Sequence, residues 1–169
     1  MAFKSVPYES LSFNPFTKLG RQWGLVTAGT ENGLNTMTVS WGGVGFIWNK
    51  PAVTVYIRPQ RYTKEFIDQE AFFTLSFYSE EQKPALGYLG KVSGHEDKAK
   101  VEKSGLTPAF TNGVPYFEEA ELVFVCRKMS RTILAPEGFI DETVDGKFYP
   151  DHDYHEMYIA EIVDVLVKE

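Results

Sequence analysis

Residues 157–167, MYIAEIVDVLV, form a β-branched run that is apolar on both faces of an extended strand. Such a strand has to be covered twice, by a sheet core on one side and by a helix or a second chain on the other. Other segments repeat the two-residue period. Residues 52–58 (AVTVYIR) place Val53, Val55 and Ile57 on one face and Thr54, Tyr56 and Arg58 on the other, between Pro51 and Pro59. Residues 119–127 (EAELVFVCR) alternate as well, and 71–78 (AFFTLSFY) has the make-up of a buried strand. Residues 24–30 and 34–41 flank ENG, where Asn32-Gly33 tolerates positive φ, so a hairpin is expected there. Short helices are expected over 61–69, Glu80–Leu89 and Glu96–Lys103, the last stopped by Ser104-Gly105. Only Ser130–Asp153, with Pro136, Gly138, Gly146 and Pro150, lacks a clear period. The expected fold is mainly β and largely antiparallel, roughly six strands or more closed into a barrel, with a few short peripheral helices. One domain is expected over residues 1–169.

The 13 Phe, 9 Tyr and 3 Trp supply enough aromatic surface for a substantial core. Asp and Glu total 23 against 17 Lys and Arg, a net charge of −6, so the footprint of a nucleic-acid partner is missing. Cys126 stands alone and cannot form an intramolecular disulfide; it shares a strand face with Leu122 and Phe124 and reads as inert core. No apolar run reaches the roughly 18 residues of a membrane span, so no membrane partner and a cytoplasmic location are expected.

Familiar nucleotide fingerprints fail. WGGVGF does not supply GxGxxG at the start of a helix, GYLGK lacks Walker spacing, and Ser93 in GKVSGH is no GxSxG elbow. Three polar segments remain. In NTMTVSW, a strand puts Thr36, Thr38 and Ser40 on one face, which is either a solvated surface or an edge able to donate and accept at the rim of a planar heterocycle. In YIRPQRYTKEF, Arg58 leaves a strand while Arg61 and Thr63 fall where a helix begins. These groups suit a phosphate dianion, or else the arginines pair with carboxylates and Thr63 caps the helix. In GKVSGHEDK, Lys91, Ser93, Gly94 and Lys98 either reach the same ligand or form a charged loop. Trp41, Phe46, Trp48, Tyr56, Tyr62, Phe77 and Tyr78 are the aromatics able to wall a ring. His152 and His155 would share a helix face as metal ligands, but Pro150 before them and a strand after them separate their directions, so no metal site is expected. His155 at the strand's edge is placed to donate to a ligand.

Taken in order, NTMTVSWGG, RPQRYTKEFI, FFTLSFYS, KVSGHEDK and HEMYIAEIVDV resemble the flavin reductase-like family of FMN-binding split barrels, and its flavoredoxin-type branch most closely. The resemblance spans about Trp23 to Val165, and His155 and Glu161 hold the places of the family's late His-containing strand. It implies that Asn35, Thr36, Met37, Thr38, Ser40 and Trp41 line an isoalloxazine ring, and that Arg58, Arg61, Tyr62 and Thr63 hold the phosphate side. Ser76, Phe77, Lys91, Ser93, Gly94 and Lys98 would approach from neighbouring strands and loops, with His155 as the catalytic side chain. The resemblance further implies FMN at the interface of a homodimer. The expected activity is that of an FMN-dependent oxidoreductase passing reducing equivalents from NAD(P)H or a redox partner protein to an acceptor. Two other roles stay open, an electron carrier without direct NAD(P)H oxidation and a redox-inactive ligand-binding split barrel. Tyr154, Ala160 and WNKPA depart from the family's frequent residues, so FMN binding is implied more directly than NAD(P)H oxidation.

Overall fold

A computed structural model describes residues 2–169. In chain order the elements are β1 (Phe3–Ser5), α1 (Pro15–Thr17), β2 (Gly24–Thr30), β3 (Gly33–Val39), β4 (Gly42–Ile47), β5 (Lys50–Ile57) and α2 (Thr63–Gln69). They continue with β6 (Phe72–Phe77), α3 (Lys83–Lys91), α4 (Lys100–Lys103), β7 (Pro108–Thr111), β8 (Val114–Phe117), β9 (Leu122–Ile133), α5 (Thr143–Phe148) and β10 (Glu156–Lys168). Among the described residues one antiparallel sheet has the order β3-β2-β6-β9-β10-β5-β4, β1 pairs with β10, and β7-β8 forms a separate ribbon. No helix among them is long and apolar enough to cross a membrane.

The fold is mainly β and antiparallel as expected, but the sheet does not close. Its two edges, β3 and β4, follow one another in sequence through Ser40 and Trp41, so the barrel is split at that link. The inner face encloses Val26, Met37, Val55, Ile57, Leu75, Phe124, Tyr158 and Ile162, drawn from β2, β3, β5, β6, β9 and β10. A second cluster lies outside the sheet, where Leu25, Val123 and Leu166 are covered by Leu86 and Leu89 of α3 and by Val114 and Phe117 of β8.

This second layer accounts for part of the doubly apolar run without another chain: Leu166 faces it, while Tyr158, Ala160, Ile162 and Val165 face inward. Two bulges reset the period. Met129 is extra in β9 and Val163 is extra in β10, which switches the inward set from even to odd positions.

Several boundaries differ from expectation for identifiable reasons. The hairpin loop is Glu31-Asn32, with Thr30 opposite Gly33, and the positive φ falls at Gly29 (124°) rather than at Asn32-Gly33. The helix expected over Glu96–Lys103 shrinks to α4, because Glu96 and Asp97 turn back onto the Ser93 carbonyl and the Asp97 carboxylate takes the Ala99 N–H. The helix expected over Glu80–Leu89 begins with a 3-10 turn and becomes α-helical at Lys83. The strand expected over 119–127 runs to Ile133, into the segment that lacks a sequence period.

Candidate functional site

A chain of cavities follows the split. The first, about 620 Å³, lies between the Pro15–Gly20 segment and the start of β4, against Ser40, Trp41, Tyr56, Tyr149 and His155. The second, about 280 Å³, is lined by Met37, Thr38, Val39, Ser40, Trp41, Tyr56, Arg58, Arg61 and His155. A third, about 330 Å³, is reached through Arg61 and lies among Tyr62, Lys91, Ser93, Gly94 and Lys100. Ser40 and Arg61, 21 positions apart, thus share one wall. Among the described residues β3 pairs only with β2, so the backbone groups on its other edge have no strand partner there.

The expected row of hydroxyls on β3 resolves into three different environments. Thr36 is fully buried; its Oγ1 donates to the Val26 carbonyl and meets Thr27 Oγ1 at 2.8 Å. Thr38 Oγ1 donates to the Leu86 carbonyl at 2.5 Å, tying β3 to α3. Ser40 alone is exposed. The row is therefore neither a solvated face nor a continuous ligand edge, because α3 and β2 already use two of its hydroxyls. On the opposite face, Met37 lines the second cavity, and buried Asn35 accepts from Thr63 Oγ1 at 2.9 Å. Thr63 thus joins α2 to β3 and does not cap its own helix.

The two arginines divide between the two readings of their segment. Arg58 is taken: its guanidinium pairs with Asp153 at 2.7 Å, donates to the Phe148 carbonyl at 3.0 Å and lies 5.1 Å from the Tyr149 ring centre. Arg61 is not. Its Nη1 donates to the Gly90 carbonyl at 3.1 Å, and burial lowers its pKa from the ordinary value. Behind the same loop Lys100 is 2% exposed, with Nζ 3.3 Å from the Leu89 carbonyl and 3.1 Å from that of Val92. Burial, and then the charge of Arg61, pull its pKa down to about 8. Among the described residues neither cation has a carboxylate within ion-pair distance, and Glu96 at the cavity wall is exposed. Two neighbouring cations, one buried and one half-buried, without an anion form a ready receptor for one.

Lys100 escapes sequence reading, since KAKVEK has the make-up of a solvated helix; no local signal marks which lysine turns inward. The remaining loop residues have structural tasks as well. Ser93 Oγ accepts from the His95 N–H, and Lys98 Nζ stands 3.6 Å above the Tyr62 ring. Gly94 is required: a Cβ there would meet Tyr62 Cδ1 at 2.2 Å and Asn35 Nδ2 at 2.7 Å. Lys91 is exposed at the junction of the third cavity with a fourth beside Trp23, Thr38 and Leu86.

Ser76 and Phe77 are not brought to these cavities. Both are fully buried, Phe77 in the inner core against Phe124, Ser76 on the outer face with its Oγ unpartnered. The β6 side chains lie between β2 and β9, in the middle of the sheet and away from the split edge. Tyr78 is buried in the outer cluster, whereas Phe46 and Trp48 are exposed. Of the aromatics able to wall a ring, Trp41 and Tyr56 line the first two cavities and Tyr62 lines the third.

At the other end, His155 is 7% exposed and its Nδ1 lies 2.8 Å from the Tyr149 hydroxyl. Trp41 packs at 5.3 Å from its ring centre. Burial, with Arg58 nearby, pulls its pKa down to about 4, so the imidazole is neutral at pH 7. Its Nε2 has no hydrogen-bond partner among the described residues. Tyr149 escapes sequence reading because it lies in the segment without a period. His152 turns instead to the Tyr154 hydroxyl at 3.0 Å.

The arrangement therefore has an anion-receiving end, a strand edge with backbone donors and acceptors, and an apolar chamber with one neutral imidazole. The same fold recurs among known proteins. An FMN-binding domain of a flavin reductases-like enzyme from Shewanella baltica OS155 superposes with a TM-score of 0.71 at 18% identity, over 98% of this chain and 77% of that one. Flavoredoxin from Methanosarcina acetivorans gives 0.68 at 19% identity, over 88% and 69%. Flavoredoxin of Desulfovibrio vulgaris (Miyazaki F) gives 0.66 at 25%, over 87% and 69%. No curated protein sequence matches significantly. The flavin reductase like domain matches residues 16–169, nearly all of the sequence, and the chain accordingly belongs to that family of split barrels.

Proposed function

We propose that the chain binds FMN along the split and acts as an FMN-dependent oxidoreductase, taking reducing equivalents from NAD(P)H or a protein donor and passing them to an acceptor. The observation that carries this reading is the pair of uncompensated cations, half-buried Arg61 and buried Lys100, one cavity away from the free edge of β3. A phosphate supplies the missing negative charge, and a planar heterocycle suits the edge donors and acceptors beside Ser40 and Trp41. Bound FMN supplies the hydride and electron chemistry that no side chain here provides. The protein's part is positional. Arg61 and Lys100 anchor the phosphate, the β3 edge orients the ring, and Trp41 with Tyr56 excludes water on one side. His155, neutral and held through Nδ1, presents Nε2 to whatever enters the first cavity, and is the catalytic side chain of this reading. Arg58 acts through the 148–153 segment that carries Tyr149, and Asn35 with Thr63 fixes α2 against β3.

A homodimer belongs to the same reading. Among the described residues β4 has no strand on its outer edge, and Phe16, Trp41, Phe46 and Trp48 are exposed around it, an apolar surface that a second copy would cover.

The experiment is an absorption spectrum of the purified protein with added FMN, followed by anaerobic NADH or NADPH. The expected result is a bound, yellow form whose visible band bleaches with a reduced pyridine nucleotide or a protein donor. A protein that takes up no FMN would overturn the proposal; bleaching only after a protein donor is added would identify an electron carrier.

The lysine gives a pH prediction. In the free protein Lys100 loses its proton as pH rises through about 8, and a phosphate dianion beside it restores the proton. FMN binding above that pH then takes up one proton, and affinity falls by up to about tenfold per pH unit until the complexed lysine itself titrates. Riboflavin affinity stays flat over the same range. Titrations of both flavins between about pH 7 and 10, monitored by quenching of flavin fluorescence, test this; parallel curves would remove Lys100 from the phosphate site.

A further inference from the structure

α3 ends where its last carbonyls lose their helical partners, and two cations meet them there. Lys100 Nζ donates to the carbonyls of Leu89 and Val92, and Arg61 Nη1 donates to that of Gly90, so amine and guanidinium stand on neighbouring residues of one turn. An ammonium carries three N–H donors, a neutral amine two and a lone pair. The two carbonyls satisfy the neutral amine in full and leave the third proton of the ammonium without a partner among the described residues. Burial favours the same form: with its pKa pulled down to about 8, roughly half of the amine is unprotonated at that pH, against under about 1% for an ordinary lysine. Lys100 lines the third cavity yet is 2% exposed, so a reagent that reaches its nitrogen has to be small and uncharged. The other titratable groups on that cavity are otherwise placed: Lys91, His95 and Glu96 are exposed, His95 lies 3.3 Å from Glu65, and Tyr62 packs under Lys98. What the pair of cations lacks is an anion, and Arg61 keeps N–H groups beyond the one given to Gly90.

Resting on the phosphate-site reading above, we propose that Lys100 is a carbamylation site: its Nζ adds carbon dioxide, and the resulting carbamate takes the place of the flavin phosphate beside Arg61. The nitrogen lone pair forms the new N–C bond, one C=O electron pair moves onto oxygen, and one N–H proton leaves to solvent. A neutral amine thereby becomes an anion with no change of oxidation state. The carbamate offers the guanidinium fork a carboxylate-like partner, and the N–H left on nitrogen still has a carbonyl to meet. Carbamate and flavin phosphate claim the same cation, so carbon dioxide and FMN exclude one another, and flavin loading responds to the carbon dioxide level.

The test is carbon NMR of the FMN-free protein in isotopically labelled bicarbonate at about pH 8, with triethyloxonium trapping and peptide mass mapping to locate the carbamate. The expected result is a carbamate on the peptide that holds Lys100, reduced about fivefold or more in Arg61→Gln and displaced by FMN or inorganic phosphate. FMN affinity is expected to fall about threefold or more when bicarbonate replaces chloride at constant pH and ionic strength, and Lys100→Arg abolishes that dependence. Label confined to the α-amino group or to surface lysines would overturn the proposal, and mapping on the parent protein decides this even where Lys100→Arg fails to fold. A Lys100 carbamate indifferent to Arg61→Gln and to phosphate would overturn it as well. If FMN does not bind in buffer free of carbon dioxide while the Lys100 carbamate forms and inorganic phosphate displaces it, the flavin reading alone falls.

Discussion

Arg61→Ala is expected to lower FMN affinity about a hundredfold and riboflavin affinity by no more than about threefold. The cause lies in what the guanidinium touches. One nitrogen donates to the Gly90 carbonyl, which leaves the rest of the fork for a ligand, and burial lowers its pKa without removing its charge. A charge-assisted pair in a half-buried setting is worth up to about 3 kcal/mol, and its loss falls on the phosphate, which riboflavin lacks. Arg61→Lys keeps the charge but not the fork, so an intermediate loss of about tenfold is expected. Arg58→Ala is expected to cost FMN only about fivefold, because its guanidinium is committed to Asp153 and Phe148 and acts at one remove. Fluorescence titrations of the parent and the three variants with both flavins decide the matter. Equal losses for FMN and riboflavin in Arg61→Ala would mean that Arg61 supports the loop and touches no phosphate.

The contrast between those arginines shows what is legible in the sequence. Convergence of NTMTVSW and RPQRYT on one wall is readable, because a hairpin and a proline-terminated strand leave their ends near each other. The division of labour is not. Asp153 lies 95 positions from Arg58, and nothing local in either segment marks the pair. Lys100 is hidden for a related reason: its burial depends on the Leu89 and Val92 carbonyls closing over it, a tertiary event. β4 escapes because GGVGFI has too few side chains to show a period, although Gly42 is needed there: its φ is 154°, and a Cβ would meet the Thr54 carbonyl at 2.7 Å. Ser76 faces outward because Phe73, Leu75 and Phe77 take the inner face of β6, and it lies away from the split because β6 sits mid-sheet, which family resemblance at the level of FFTLSFYS does not convey. Alternation, by contrast, reads correctly in β5, where no bulge interrupts the succession of faces: Val53, Val55 and Ile57 are all fully buried.

Gly29→Ala is expected to destabilise the protein by about 3 kcal/mol, a fall of roughly 9 °C in Tm for a chain of this size. Gly29 ends the regular part of β2 at a φ of 124°, outside the range an L side chain adopts readily. A Cβ would lie 2.3 Å from the Gly33 carbonyl oxygen and 2.6 Å from Leu34 Cα, both backbone atoms of the partner strand that no rotamer change can move. Relief requires the β2-β3 hairpin to open or its pairing to shift. Either response moves β3, which carries Asn35, Met37 and Thr38 and leads into Ser40, relative to α2 and α3, where Thr63 and Leu86 hold it. Loss of FMN affinity of more than about tenfold is therefore expected even in the folded fraction, well below the midpoint of unfolding. Gly33→Ala is the matched control: it lies in the same hairpin, its φ is not positive and nothing stands within 4 Å of where its methyl group would sit, so its effect should stay within about 0.5 kcal/mol. Urea unfolding followed by circular dichroism, with flavin titration at zero denaturant, separates the two. Similar behaviour of the two alanines would show that the hairpin tolerates rearrangement at Gly29 and that the register of β3 does not govern the site.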